Sequence, residues 1–298
     1  MDLGGTGAEA VSVPDFANSL CDDAAVFPPG LSPLPEAVAA HARYAATPYA
    51  ELVGPLVLAA PALAELGGLL EPGGTLRLSV TAPNGPRQLP AVFAAAESLP
   101  VRLRALEVAV RPGQAPVEFF AELDGACAAA DDVTVFVEVP RDERRPEVIA
   151  TCASTRYQAK FRTGGVKAEL YPDEAELAAA IRAVVDARVP FKATAGLHHA
   201  IRNTDPNTGF EQHGYLNLLL ATDAAVDFAD ETEIAAVLAE RDERKIAERV
   251  SNLDTARVAA ARELFLSFGT CSIIEPLTEL IDLGLVPAQV LSGEGADS

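Results

Sequence analysis

Lysine is scarce in this chain. Of 23 basic residues in 298, only Lys160, Lys167, Lys192 and Lys245 are lysines, and arginine supplies the rest. Positive charge as a whole is also short: 43 acidic residues leave a net charge of −20 at pH 7. A general nucleic-acid binder needs a basic face to meet phosphates, so that class is excluded, and the acidity suits a solvated surface. Paired cysteine spacing is missing. Cys21, Cys127, Cys152 and Cys271 are far apart with no C-x-x-C, which reads as reduced, mostly buried thiols of a cytoplasmic protein. The first residues, "MDLGGTGAEA", have neither a basic n-region nor an apolar h-region, so no secretory signal is expected. The most apolar window, 52–70, is broken by two prolines and Glu65 and reads as strand, turn and helix, not as a membrane span. No G-x-G-x-x-G follows the first apolar strand, which removes the main support for a dinucleotide-binding sheet.

Against these absences, 49% of the residues are hydrophobic, enough for a large core. Short apolar runs alternate with longer Ala-rich or charged runs. Strands are expected at 51–60, 75–83, 101–110, 133–140, 157–165 and 189–197. Helices are expected at 34–46, opened by Pro35, and in the intervals between strands, where Asp173 is placed to cap 174–187. Repeated βα units imply a parallel sheet with helices outside. Counting 215–220 and 268–274 as further strands gives eight, the number of a (β/α)8 TIM-type barrel, closed or left incomplete after the sixth strand. Residues 213–228 read equally as strand or helix, and a doubly wound open sheet is the competing architecture. The organisation expected is a helical N-terminal segment (1–50) packed on a barrel (51–287), with a disordered tail (288–298).

In a barrel, alternate strand residues face the interior, and chemistry collects at the C-terminal strand ends. On "YQAKFRTGG", Gln158, Lys160 and Arg162 share one face, while Ala159 and Phe161 share the other. Lys160 and Arg162 are therefore expected to point inward, with Thr163, Gly164 and Gly165 offering an anion cradle at the strand end. On "VPFKATAGLHH", Lys192 and Thr194 share the inward face, and His198 and His199 fall at the active end. The polar loop that follows supplies Arg202, His213 and Asn217. Glu138 is the one charge in its apolar strand, and Glu107 shares a face with Leu103 and Ala105. Either glutamate could neutralise an inward lysine or move protons. Asp22 and Asp23 precede "FPPG" and are not placed by this reading. A lysine beside other cations can lose its proton and become a nucleophile, which arginine cannot do.

The segments "DDAAVFPPG", "KFRTGG", "FKATAGLHH", "HGYLN" and "SFGTCSIIEP" resemble a family of bacterial β/α-barrel proteins to which no activity is assigned. Locally, "FKATAG" resembles the strand motif of Schiff-base aldolases of the deoxyribose-phosphate aldolase type. That resemblance implies an imine-forming lysine assisted by a second lysine on an adjacent strand, places that Lys192 and Lys160 would fill. The family's phosphate-binding glycine segments are not evident here, and the paired histidines are not part of its pattern.

Four readings follow. A lyase or aldolase would use Lys192 as nucleophile, Lys160 to lower its pKa, Glu138, His198 or His199 as proton carriers, and Arg162 and Thr194 on a small anionic carbonyl substrate. A transferase or isomerase of phosphoribosyl type would use the same cations as electrostatic clamps, without an imine. A metal enzyme would use His198, His199 and His213, although no H-E-x-x-H or H-x-H occurs and adjacent strand residues point apart. The last is a binding barrel without catalysis. No cofactor and no membrane or nucleic-acid partner is expected, and self-association is left open.

Overall fold

The computed structural model describes residues 12–70 and 75–291. Eight parallel strands form a closed (β/α)8 barrel. They are β1 (Cys21–Asp23), β2 (Val53–Ala59), β3 (Leu76–Ala82), β4 (Val101–Ala109), β5 (Thr134–Glu138), β6 (Gln158–Arg162) and β7 (Phe191–Thr194), followed after a small antiparallel hairpin by β10 (Phe265–Thr270). The hairpin strands are β8 (Asn203–Thr204) and β9 (Glu211–Gln212). β10 pairs with both β7 and β1, and β1 pairs with β2, so the ring closes where an open sheet would show two edges.

Helices cover the outside. They are α1 (Leu34–Tyr44), α2 (Leu89–Ser98), α3 (Pro116–Ala126), α4 (Arg145–Ala153), α5 (Glu174–Asp186), α6 (Tyr215–Val226), α7 (Glu231–Ala239), α8 (Glu243–Ser251), α9 (Thr255–Leu264) and α10 (Ile274–Asp282). After β2 a 3-10 run (Ala60–Gly68) stands in for a helix, and after β7 four helices precede β10. Asp173 caps α5 by accepting from the Glu176 amide, as expected, and Asp254 caps α9 in the same way. Among the described residues no helix is long and apolar enough to cross a membrane.

The strand pleat separates core from site. Phe161, Phe191 and Phe265 sit on three neighbouring strands and pack ring to ring at 5.4 Å on the helix side. Burying each ring contributes about 2–3 kcal/mol. The alternate positions on the same strands are Lys160, Lys192 and Ser267, which pair across the ladder and turn inward.

Two boundaries differ from expectation. Residues 1–50 are not an accessory segment, because β1 lies within them and supplies a barrel strand. Three residues with two aspartates carry no apolar pattern, so nothing in their composition announces a strand. The eighth strand is therefore β1, and 215–220 belongs to α6. The helix as a whole is rich in Leu and Ala and poor in β-branched residues, so helix propensity decides it. At the C-terminus Ala288–Leu291 forms a 3-10 turn with Val290 fully buried. Residues 292–298 of the expected tail, and the first ten residues read for a signal, lie outside the described residues.

Candidate active site

A cavity of about 910 Å³ opens at the C-terminal mouth of the barrel. Its floor is a chain of ion pairs. Lys192 Nζ donates to Asp22 Oδ2 at 2.5 Å and to Glu107 Oε1 at 2.6 Å. Lys160 Nζ donates to Glu107 Oε2 at 2.9 Å and lies 3.0 Å from Glu138 Oε2. Arg162 Nε donates to Glu138 Oε1 at 3.0 Å. The Ser79 hydroxyl donates to Glu107 Oε1 and that of Ser267 to Asp22 Oδ2, each at 2.8 Å. Lys192 Nζ also stands 5.4 Å from the centre of the Phe136 ring, a cation–π contact. Three cations thus meet three carboxylates contributed by five different strands.

Two local features hold this arrangement. Gly54 on β2 faces Asp22: a Cβ built there would lie 2.0 Å from Asp22 Oδ1, so only glycine leaves room for the carboxylate. At the mouth, β7 is followed by Ala195 and Gly196, both with positive φ (65° and 72°). For Ala195 that conformation costs roughly 1–2 kcal/mol. The turn carries the chain past Tyr171 to His198 and His199, which both line the cavity. His198 Nδ1 lies 3.6 Å from Cys271 Sγ, and His199 Nδ1 lies 2.6 Å from Glu279 Oε1.

The electrostatics follow from burial set against pairing. Burial alone lowers the Lys192 pKa, but Asp22 and Glu107 outweigh it and hold the ammonium above the usual lysine range. Lys160 is raised in the same way by Glu138 and Glu107. Burial raises Glu107, yet Lys192 and Lys160 together pull it well below the carboxylate range. Glu138 is brought down to about 2 against its own burial by Lys160 and Arg162. Asp22 is the exception: burial outweighs Lys192 and leaves its carboxyl raised. Of the two carboxylates on Lys192, Asp22 is therefore the easier to protonate. Burial lowers His198, whereas the Glu279 hydrogen bond raises His199.

No family model matches the chain, and no curated protein matches it. Among solved structures, an archaeal fructose-1,6-bisphosphate aldolase, its catalytic Lys covalently bound to the carbinolamine intermediate of the substrate, aligns over 94% of this chain and 96% of its own. The two are 14% identical, with a TM-score of 0.42. Similarity at that level does not transfer chemistry.

Of the residues singled out in the sequence, Lys160, Arg162, Lys192, Thr194, Glu107, Glu138, His198, His199 and Gly165 line the cavity. Thr163, Gly164, Arg202, His213 and Asn217 do not. The Thr163 hydroxyl donates to Ala195 O at 2.7 Å and ties β6 to the end of β7. A Cβ on Gly164 would meet Tyr171 and the Gly196 backbone below 3 Å, and one on Gly165 would strike Leu170, so close packing requires glycine at both positions. Arg202 is buried against Glu174 and Glu211. His213 Nε2 meets Pro172 O at 2.8 Å, behind the cavity wall. Asn217 bonds backbone groups of Arg202, Val237 and Glu240. The histidine trio is thereby split, and among the described residues no three His, Cys, Asp or Glu side chains are grouped to hold a metal ion. Lys160 does not sit as a bare cation beside Lys192, because Glu107 lies between them.

The sequence names Asp22 without placing it, Cys271 only as a buried thiol, and Glu107 without its central place. Asp23 turns outward to His41 Nδ1 at 3.0 Å. The glycine inside "LVGPL" was the one available signal for the close approach of Asp22.

Proposed function

We propose that this barrel is a Schiff-base lyase of aldolase type in which Lys192 attacks a carbonyl compound. The observation that carries the reading is a buried amine at the cavity floor clasped by two carboxylates of unlike basicity. A lysine must shed a proton to become a nucleophile, and Asp22 is the acceptor beside it.

On substrate entry the Lys192 proton passes to Asp22, its hydrogen-bond partner. The free amine adds to the carbonyl carbon, giving a carbinolamine. Asp22 returns the proton to the departing hydroxyl, water leaves, and an iminium forms. The iminium draws electrons from the neighbouring carbon–carbon bond. As that bond breaks, the proton of the β-hydroxyl passes to Glu138, one carbonyl fragment departs, and an enamine remains. The enamine carbon takes that proton back from Glu138, water hydrolyses the resulting iminium, and Lys192 is restored as an ammonium with Asp22 ionised. Lys160 keeps its own proton through Glu107 and Glu138, and its charge disfavours a second ammonium once Lys192 has delivered its proton.

The paired lysines argue against a phosphate clamp, because neither ammonium is left over for a dianion. Arg162 uses Nε on Glu138, and no partner for its two terminal nitrogens is present among the described residues. It is the group to take one carboxylate of a singly charged substrate.

Borohydride trapping tests the reading. Wild-type protein reduced in the presence of pyruvate, phenylpyruvate or dihydroxyacetone phosphate is expected to gain the matching mass on the Lys192 peptide. Lys192→Met, checked for folding by circular dichroism, is expected to gain none. An adduct confined to Lys167 and Lys245, or no adduct at all, would sink the proposal.

A further inference from the structure

Resting on that reading of Lys192, we infer that the substrate carries an apolar group, aryl or branched alkyl, on the side away from its reacting carbonyl, and is not a phosphorylated sugar. Three observations converge.

The first is size. A cavity of about 910 Å³ lies near the top of the range for pockets that enclose drug-sized ligands, far more than a three-carbon acid fills. The second is the wall above the charged floor. Phe27, Val57, Pro83, the adjacent Leu170 and Tyr171, and Phe210 come from separate segments of the chain and form an apolar collar on the cavity wall. The Tyr171 and Phe210 rings stand 5.4 Å apart, both half-buried and both lining the cavity, and Val166 at the rim is 74% exposed. Apolar surface left open directly above reactive amines fits a ligand that covers it.

The third is charge. The lining cations are Lys160, Arg162 and Lys192, while the lining carboxylates are Glu107, Glu138, Asp205 and Glu275. Asp22 adds a further negative charge beneath Lys192. A phosphate dianion would meet no unengaged ammonium and two extra carboxylates near the mouth. A single carboxylate on Arg162, with an apolar body in the collar, needs no second cation and meets less of that repulsion.

The test uses carbonyl-free probes, so it does not depend on imine formation. Calorimetric titration of the full-length protein would compare 3-phenylpropanoate, propanoate and glycerol 3-phosphate. The phenyl compound is expected to bind at least about tenfold more tightly than either of the others, the scale on which apolar pockets discriminate. Phe210→Ser should shrink that advantage to less than about threefold. Glycerol 3-phosphate binding as tightly as 3-phenylpropanoate, or no measurable binding of 3-phenylpropanoate, would overturn the inference, as would a preference untouched by Phe210→Ser. The two proposals fail separately. Phenyl selectivity without trapping on Lys192 removes the imine and keeps the substrate class. Trapping by dihydroxyacetone phosphate in preference to phenylpyruvate does the reverse.

Discussion

The knot of side chains around Glu107 and the knot around Asn217 are both buried, both polar and both built from residues far apart in the chain. Around Glu107 the groups are charged, each lysine is shared between two carboxylates, and Lys160, Lys192, Glu107 and Glu138 all open onto the cavity. Around Asn217 the partners are mostly backbone. Its Nδ2 donates to the carbonyls of Val237 and Glu240 at 2.9 and 2.8 Å, and its Oδ1 accepts from the Arg202 amide at 2.9 Å. Arg202 and His213 beside it are sealed from the cavity. Asn217 satisfies backbone groups at the end of α7 and in the loop after β7 that would otherwise be buried unpaired, which is what most buried polar groups do, although Arg202 Nε and Nη1 and His213 Nδ1 beside it have no hydrogen-bond partner among the described residues. The first gathers more charge than the fold needs. Polarity and burial alone do not mark a site; buried charge that opens onto a cavity does.

The sharpest way to break this contrast is Glu107→Ala. It strips one carboxylate from each lysine at once and leaves a hole between two buried ammonium groups. Removing one partner of a buried ion pair typically costs about 3–5 kcal/mol, and a shared partner belongs at the upper end. Urea unfolding should show the midpoint falling with an unchanged slope. A loss below about 1 kcal/mol would mean that water already screens the floor, and the clasped-amine picture would go with it.

The two knots should also part company in acid. His213 is held down to about 4, chiefly by burial and then by Arg202, from an ordinary 6.5. The unfolded chain takes up that proton first, so the stability His213 contributes is present above pH 6.5 and lost as pH falls towards 4. By linkage the loss is about 2–3 kcal/mol. Glu138, at about 2 against an ordinary 4.5, gives its share up only below pH 4.5. Denaturation of wild type and His213→Gln at pH 7 and pH 4 is expected to show the gap between them closing by that amount in acid. A gap that stays constant would place a protonated imidazole in the second knot and erase the distinction.

How far each knot could be read from the sequence follows from the range of the interactions. Strand alternation is local, so the inward faces of β6 and β7 and the presence of Lys160, Lys192 and Thr194 in the cavity were legible. The acidic partners were not. Asp22 reaches Lys192 across 170 residues and sits on a strand of three residues that depends on β2 and β10 for its hydrogen bonds. Arg202, His213 and Asn217 were grouped with the site because they follow β7 closely. Nearness along the chain places a loop at the mouth but does not decide which side chains turn into the cavity. Here the turn at Ala195–Gly196 sends His198 and His199 to the cavity, and the β8–β9 hairpin carries the chain on to α6, where Asn217 serves the helix layer.

Two glycines allow the comparison to be made with the same one-carbon change. At Gly54 a Cβ would lie 2.0 Å from Asp22 Oδ1, with the Asp22 backbone no nearer than 3.2 Å. At Gly214 it would lie 2.3 Å from Asn217 Oδ1 but also 2.4 Å from Ala200 O and 2.5 Å from Ile201 C. A side chain can swing aside and a backbone cannot. Gly214→Ala should therefore cost the larger share of the usual overpacking range, about 3 kcal/mol, and Gly54→Ala about 1 kcal/mol. Function should run the other way. Gly54→Ala displaces Asp22 from Lys192 and removes the nearest proton acceptor, so borohydride trapping on Lys192 should slow by at least about tenfold at neutral pH and recover as pH rises and hydroxide takes the proton instead. Gly214→Ala, where folded, should trap at the wild-type rate. Gly54 would then be a positioning residue, acting only through the carboxylate it makes room for. If Gly54→Ala trapped normally at neutral pH, Asp22 would not be the group that deprotonates the amine, and that role would fall to Glu107.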